Sequence, residues 1–294
     1  MRRGALTTAW IVIVLLGGCN FPGPQPAEPT VPPTASPPTP MPPAATATPQ
    51  PEPSPTLESA TPTSEATAPP VSGAQPPEAI LIFEPGPASR VTNPVHIAGL
   101  ADPTFEQTLV VRVLLVDGTE VATKPVTITA DAGQRGPFET DMFLNVPGGG
   151  NIFIQVFSQS ARDGGTTHLA SVAVVLGQGG PAMVVPGRPH PEDIIIAQPG
   201  LGETISGGMV HVEGIALASF EQTLLIELHD AEGNVIASQS VIVNAPDLGE
   251  PGPFSADIPY SVTAPGPGRV VVRDLSPAFG GDVHLASVEV HLNP

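Results

Sequence analysis

The chain repeats itself, and that repeat narrows the available folds more than any other feature. Phe105-Glu106-Gln107-Thr108-Leu109 returns 115 residues later as Phe220-Glu221-Gln222-Thr223-Leu224. Gly136-Pro137-Phe138 returns as Gly252-Pro253-Phe254, and His168-Leu169-Ala170-Ser171-Val172 as His284-Leu285-Ala286-Ser287-Val288, both at an offset of 116. One residue has therefore been inserted near Pro246 to Glu250. Val95-His96 likewise matches Val210-His211. About thirty of roughly eighty aligned positions are identical, so a whole structural unit has been duplicated. The expected units are residues 79–176 and 193–294, joined by a Gly/Pro-rich hinge at 177–192.

Each unit reads as strands without a convincing helix. Leu109, Val111, Val113 and Leu115 alternate with a second set of positions, and the other copy sharpens this into Leu224, Ile226 and Leu228 against Leu225, Glu227 and His229. Period two with one apolar face is the pattern of an antiparallel strand. Asp117-Gly118 and Glu232-Gly233 then mark hairpin turns. Further strands are expected at 80–83, 95–99, 121–128, 138–144, 152–157 and 169–176. Seven short strands per hundred residues predict an all-β chain of two tandem immunoglobulin-like β-sandwiches. A single cysteine excludes the disulfide of an antibody-type domain and any thiolate-rich metal site. The apolar outer positions Val110 and Leu114 suggest that the first unit packs against a neighbour on that face.

These residues resemble the immunoglobulin-like domain of bacterial spore germination. The first copy carries Gly99, Phe105-Glu106, Asp117-Gly118, Gly136-Pro137-Phe138 and Ser160-Ala161-Arg162-Asp163-Gly164. The second carries Gly214, Phe220-Glu221, Glu232-Gly233, Gly252-Pro253-Phe254 and Ser276-Pro277-Ala278-Phe279-Gly280, with Phe279 in place of the acidic residue. The resemblance implies a sandwich at a cell surface and brings no catalytic residues with it.

The N-terminus reads as an address. Arg2 and Arg3 precede the apolar run Trp10 to Leu16, which is too short to span a bilayer and fits a signal sequence over residues 1–18. The run ends in Leu16-Gly17-Gly18-Cys19, similar to the lipobox of bacterial lipoproteins, so Cys19 is the expected lipidation site. Two or more acyl tails give stable anchoring where one does not. Residues 19–78 would hold the lipidated cysteine and a linker rich in Pro, Thr and Ser, with half of the chain's 40 prolines. Such a segment lacks the apolar surface to offset its ordering entropy and is expected to stay unfolded. Fully extended it would approach ~180 Å.

Charge and missing motifs exclude several function classes. The formal net charge is −18, and loss of residues 1–18 takes two arginines with it. An acidic chain without a clustered basic face argues against nucleic acid as a partner. There is no G-x-S-x-G, no P-loop and no HExxH, so no catalytic residue, cofactor or metal ligand is assigned. Two histidine positions recur. His168 and His284 share a strand parity with apolar core residues and are placed at the mouth of the core, bonding a loop carbonyl. His96, matched by His211 in the second copy, has the opposite parity from Val95 and Ile97 and is expected to face solvent or a loop. Glu106 and Glu221, following a core phenylalanine, are the best carboxylates, read as accepting backbone N–H groups of a neighbouring loop, with ligand or ion contact as the other reading. Asp163 reads as turn chemistry.

The function expected is that of a non-catalytic, extracytoplasmic lipoprotein, anchored to the bacterial membrane through Cys19. Its two modules would serve protein–protein interaction, adhesion or envelope scaffolding. The alternative is a binding module for cell-wall glycan, which calls for exposed aromatic platforms.

Overall fold

A computed structural model describes residues 75–217 and 221–294. The signal sequence, Cys19, the Pro/Thr-rich linker up to Ala74 and Phe220 lie outside the described residues. The first repeat runs β1 (Ile80–Glu84), β2 (Arg90–Val91), β3 (Val95–Ala101), β4 (Thr108–Leu115), β5 (Glu120–Thr127), β6 (Gly136–Met142), β7 (Gly150–Gln159) and β8 (Thr166–Leu176). The second repeats this as β9 (Ile194–Gln198), β10 (Thr204–Ile205), β11 (Met209–Leu217), β12 (Thr223–His229), β13 (Val235–Ile242), β14 (Pro251–Pro259), β15 (Gly266–Leu275) and β16 (Asp282–Leu292). All seven strands expected in the first copy are present, and β2 is an added two-residue strand.

Each repeat is a sandwich. One layer is a three-stranded sheet, β1-β3-β6 or β9-β11-β14. The other is β5-β4-β7-β8 or β13-β12-β15-β16, with the short β2 and β10 pairing in parallel with β8 and β16. The alternation read from the sequence is the division between the two faces. Leu109, Val111, Val113, Leu224, Ile226 and Leu228 are all buried. They pack with Ile97 and Phe138 in the first core, and with Val212 and Phe254 in the second.

The shared glycines are sites of close approach. Gly99 faces Phe138 across β3–β6, and Gly214 faces Phe254 across β11–β14. A Cβ at Gly99 would lie 2.2 Å from the Leu81 carbonyl oxygen and 2.5 Å from the Phe138 ring; at Gly214 it would lie 2.0 Å from the Ile195 oxygen. The glycine lets the phenylalanine lie flat over the strand. Asp117-Gly118 and Glu232-Gly233 form the expected turns, with φ of +82° and +84° at the glycines. Gly148-Gly149-Gly150, which reads as a hairpin loop in the sequence, instead crosses from one layer to the other, since β6 and β7 belong to different sheets.

Two features exceed what the repeat alone suggests. The segment at 177–192 is bonded along the first module: Gly86 N–H donates to Val185 O at 2.8 Å, Gly187 N–H to Phe83 O at 2.7 Å, and Arg90 and Met183 exchange two bonds. More consequentially, the last strands of the two repeats pair with each other. β8 and β16 run antiparallel, with Leu169 opposite Leu285, and join the two larger layers into one ten-stranded sheet.

Candidate functional site

The junction is a pseudo-two-fold, built so that each repeat offers the other what it receives. Glu78 N–H donates to His190 O at 3.1 Å, while Glu192 N–H donates to Pro76 O at 2.9 Å. Pro77 and Pro191 face each other between these bonds. Ser171 Oγ donates to Val283 O, and Ser287 Oγ to Thr167 O, both at 2.7 Å. On one face of the shared sheet Leu169, Leu285, Phe157 and Val271 form a small buried cluster, with Val110 packed beside it. The neighbour suggested by that outer apolar position is thus the second repeat.

On the other face four ionisable side chains converge on the axis. His168 Nε2 lies 2.9 Å from Glu78 Oε1, and His284 Nε2 lies 3.0 Å from Glu192 Oε1. The crossing distances are 3.6 Å from His168 Nε2 to Glu192 Oε1 and 3.8 Å from His284 Nε2 to Glu78 Oε2. The imidazoles meet edge to face, with ring centroids 5.2 Å apart. The carboxylates are held from behind: Ala79 N–H donates to Glu192 Oε2 at 2.9 Å and Asp193 N–H to Glu78 Oε2 at 3.3 Å. Glu78 is 1% exposed and His284 5%.

Electrostatics follow from this packing. Burial works against a charged His284, but its hydrogen bond to Glu192 and the charges of Glu78, Asp193 and Glu192 prevail and raise its pKa to about 9. Burial also opposes ionisation of Glu78, yet the His168 hydrogen bond and both imidazoles keep its pKa below the usual carboxylate value. Asp193 is pushed up, chiefly by burial. Beside the four groups opens a cavity of about 420 Å³, walled in part by Ile80, Ile82, Val172, Val185 and Arg188.

The last turn of each repeat reaches across to the other. Asp163 forms an ion pair with Arg269, both side chains being essentially excluded from solvent. Burial opposes the Asp163 charge, but Arg269 and the Gly165 N–H hold the carboxyl well below its ordinary range. At the symmetric contact, Phe279 packs on Phe153 with centroids 5.0 Å apart. Positions 163 and 279 correspond, as do 153 and 269. One half of the junction therefore uses an ion pair where the other uses two aromatic rings. Asp163 does make the expected turn bond, accepting from Gly165 N–H at 2.9 Å, but its second oxygen serves the other module.

The sequence candidates fare differently. His168 and His284 come together, although they bond carboxylates and not the loop carbonyls expected of them. His96 and His211 are exposed, each beside an aspartate on the neighbouring strand, Asp141 at 2.9 Å and Asp257 at 2.7 Å. The reading of Glu106 requires correction. Phe105 is 60% exposed and no core residue, because it sits in a 3₁₀ turn over Phe105–Gln107. Glu106 and Glu221 are themselves exposed. The side chain that ties a loop down is Gln107, whose Nε2 donates to Asp131 O at 3.1 Å and Gln134 O at 3.2 Å. Sequence reasoning missed Glu78, Glu192 and Arg269. A signal for the first two was present in Pro77-Glu78-Ala79-Ile80, repeated as Pro191-Glu192-Asp193-Ile194 at an offset of 114.

A scan against protein-family models matches residues 79–165 and 193–281 to the immunoglobulin-like domain of bacterial spore germination. A search of curated proteins finds no match. Among solved structures, a red sea bream transglutaminase shows 10% identity and a TM-score of 0.27, over 73% of this chain and 31% of that one. Bovine butyrophilin shows 12% identity and a TM-score of 0.23, over 73% and 99%. The titin domains z1z2, solved in complex with telethonin, show 14% and 0.19, over 74% and 96%. TM-scores this low transfer neither arrangement nor activity.

Proposed function

The chain belongs to the family of the immunoglobulin-like domain of bacterial spore germination, whose modules support protein interaction in general, and from that premise we propose a non-catalytic surface lipoprotein that displays one fused, two-module unit to an envelope protein. Cys19 carries the lipid, and the Pro/Thr-rich linker sets the distance from the membrane. One observation supports the mode of contact. Joining β8 to β16 leaves the shared sheet with two edges, β5 and β13. β5 carries Lys124 and Pro125, residues that discourage edge pairing, whereas β13 (Val-Ile-Ala-Ser-Gln-Ser-Val-Ile) has neither charge nor proline. An extended segment of the partner adds to β13 through main-chain hydrogen bonds.

Glycan binding has less support. Tyr260 is buried, donating its hydroxyl to Asn293 O at 2.8 Å. Among the described residues the exposed phenylalanine rings are Phe105 and Phe143, and the groove beside Phe105 does not include Phe143. The test uses the chain from residue 19 onward with Cys19→Ala, biotinylated and offered to solubilised envelope and to purified wall glycan. Stoichiometric capture of one envelope protein, lost in a folded Ser238→Lys/Ser240→Lys variant, supports the reading. Retention on glycan alone, or capture indifferent to β13, overturns it. In cells, Cys19→Ala should move the protein out of the membrane fraction.

A further inference from the structure

We propose that Glu78, His168, Glu192 and His284 form a binding site for one divalent transition-metal ion of the zinc class, on the pseudo-two-fold axis between the repeats. One ligand atom from each of the four lies within 4.8 Å of all the others. Between the Nε2 atoms and the inner carboxylate oxygens the separations are 2.9 Å (His168 to Glu78 Oε1), 3.6 Å (His168 to Glu192 Oε1) and 3.0 Å (His284 to Glu192 Oε1), and the other Glu78 oxygen lies 3.8 Å from His284. Ligands placed at the usual Zn–N and Zn–O distances on a tetrahedron stand about 3.3–3.5 Å apart. The three separations between inner oxygens and Nε2 atoms straddle that value, so small movements of the side chains would seat the ion.

The donor set fits the same chemistry. Two imidazoles and two carboxylates, without a thiolate, suit Zn²⁺ and its first-row neighbours more than Ca²⁺ or Mg²⁺, which take oxygen shells. Both ligating nitrogens are Nε2, and the antiparallel pairing of β8 and β16 brings the two imidazoles together edge to face. The outer carboxylate oxygens are already oriented by backbone donors, Ala79 N–H on Glu192 and Asp193 N–H on Glu78. Asp193 Oδ2 lies 3.9 Å from His284 Nδ1, where a metal-bound imidazole commonly finds its supporting carboxylate.

Charge argues the same way. Glu78, Glu192 and Asp193 surround two imidazoles, and direct hydrogen bonds account for only two of the four His–Glu contacts, leaving the two crossing ones at 3.6 and 3.8 Å. A divalent cation at the centre bridges all four and offsets the carboxylate excess. Each repeat supplies one glutamate and one histidine, so neither module holds the site alone. The ion would then act as a clasp on the junction.

The test takes the chain from residue 19 onward with Cys19→Ala, so that no thiol competes. It is stripped with chelator and loaded with Zn²⁺ or Co²⁺. The expected results are one Zn²⁺ per chain after gel filtration and intense visible bands from tetrahedral Co²⁺. Affinity should fall by about 100-fold or more in His168→Gln/His284→Gln. His211→Gln, which removes the exposed His211–Asp257–Glu213 group, should leave all three readouts unchanged. The proposal is overturned if Zn²⁺ is not retained, if Co²⁺ gives only weak octahedral bands, or if binding survives the double substitution and is lost in His211→Gln. Should the double variant fail to fold, the Co²⁺ spectrum of the unsubstituted site decides between the two.

Discussion

The buried Asp163–Arg269 pair offers the sharpest test of how the modules are joined. Replacing Asp163 by alanine leaves a guanidinium excluded from water with its only short ion-pair contact gone. Arg269 keeps long bonds of 3.4 Å to Gly165 O and Thr166 O, and the nearest other carboxylate, on Glu289, is 3.7 Å away. Stranding one member of a buried pair costs about 3–5 kcal/mol. For a cooperative unit of 150–250 residues each kcal/mol lowers Tm by about 2–4 °C, so the expected drop is ~6–20 °C. Asp163→Asn keeps an acceptor for Gly165 N–H and separates the turn from the charge. Asp163→Phe/Arg269→Phe copies the Phe279–Phe153 contact of the opposite half and should recover most of the loss, since apolar replacement of a buried pair is commonly neutral or stabilising. Thermal unfolding would be followed by far-UV circular dichroism, which sees both repeats, and by the near-UV signal of Tyr260. That tyrosine is the only one in the chain and reports the second repeat alone. A cost under about 1 kcal/mol for Asp163→Ala, or a double variant no better than the single one, would refute the reasoning.

Two further outcomes follow from the geometry. In chelator-treated protein, the raised pKa of His284 gives stabilisation that is complete below its unfolded value of 6.5 and is lost as pH rises through about 9. Asp163 and Glu78, both lowered, stabilise above their unfolded values of 3.8 and 4.5 and lose this in acid, while Asp193, raised by burial, partly opposes them. Urea midpoints should therefore be highest near pH 5–6.5 and fall towards pH 9; a midpoint rising from pH 7 to 9 contradicts this. Gly99→Ala should cost about 1–3 kcal/mol through its clash with the Leu81 carbonyl and the Phe138 ring, with Gly214→Ala alike. Denaturant titration showing either change to be neutral would remove the close-approach explanation.

Much of the fold is legible in the sequence because it depends on local periodicity. The alternation of Leu109, Val111 and Val113, and the turn at Asp117-Gly118, suffice to place strands in an all-β sandwich. The junction is legible only in outline. His-Leu-Ala-Ser-Val, the longest motif shared late in the two repeats, reads as a last strand with a histidine at the core's mouth. In the structure it is the self-pairing strand itself, with its histidine in the polar group, its leucine in the apolar cluster and its serine bonding across the axis. Period two assigns faces within one strand and does not say what pairs with that strand's edge. The exchange of Asp163 for Phe279 looks like drift when each turn is read alone. It makes sense only beside the paired exchange of Phe153 for Arg269, some ten residues away and in the partner repeat. Glu106 misled for a related reason: repetition marks what the fold needs, and the turn needs the backbone of Phe-Glu-Gln and the amide of Gln107, not the carboxylate.

The central claim is that β8 and β16 fuse the repeats into one unit of fixed geometry. Spin labels at two exposed sites, Thr123→Cys on β5 and Ser238→Cys on β13, would sit near opposite edges of the shared sheet in a Cys19→Ala background. Seven strand spacings separate those edges, about 34 Å before twist is considered. Pulsed electron–electron resonance should return one narrow distance distribution near that value. A broad distribution, as from two sandwiches moving independently about residues 177–192, would contradict it.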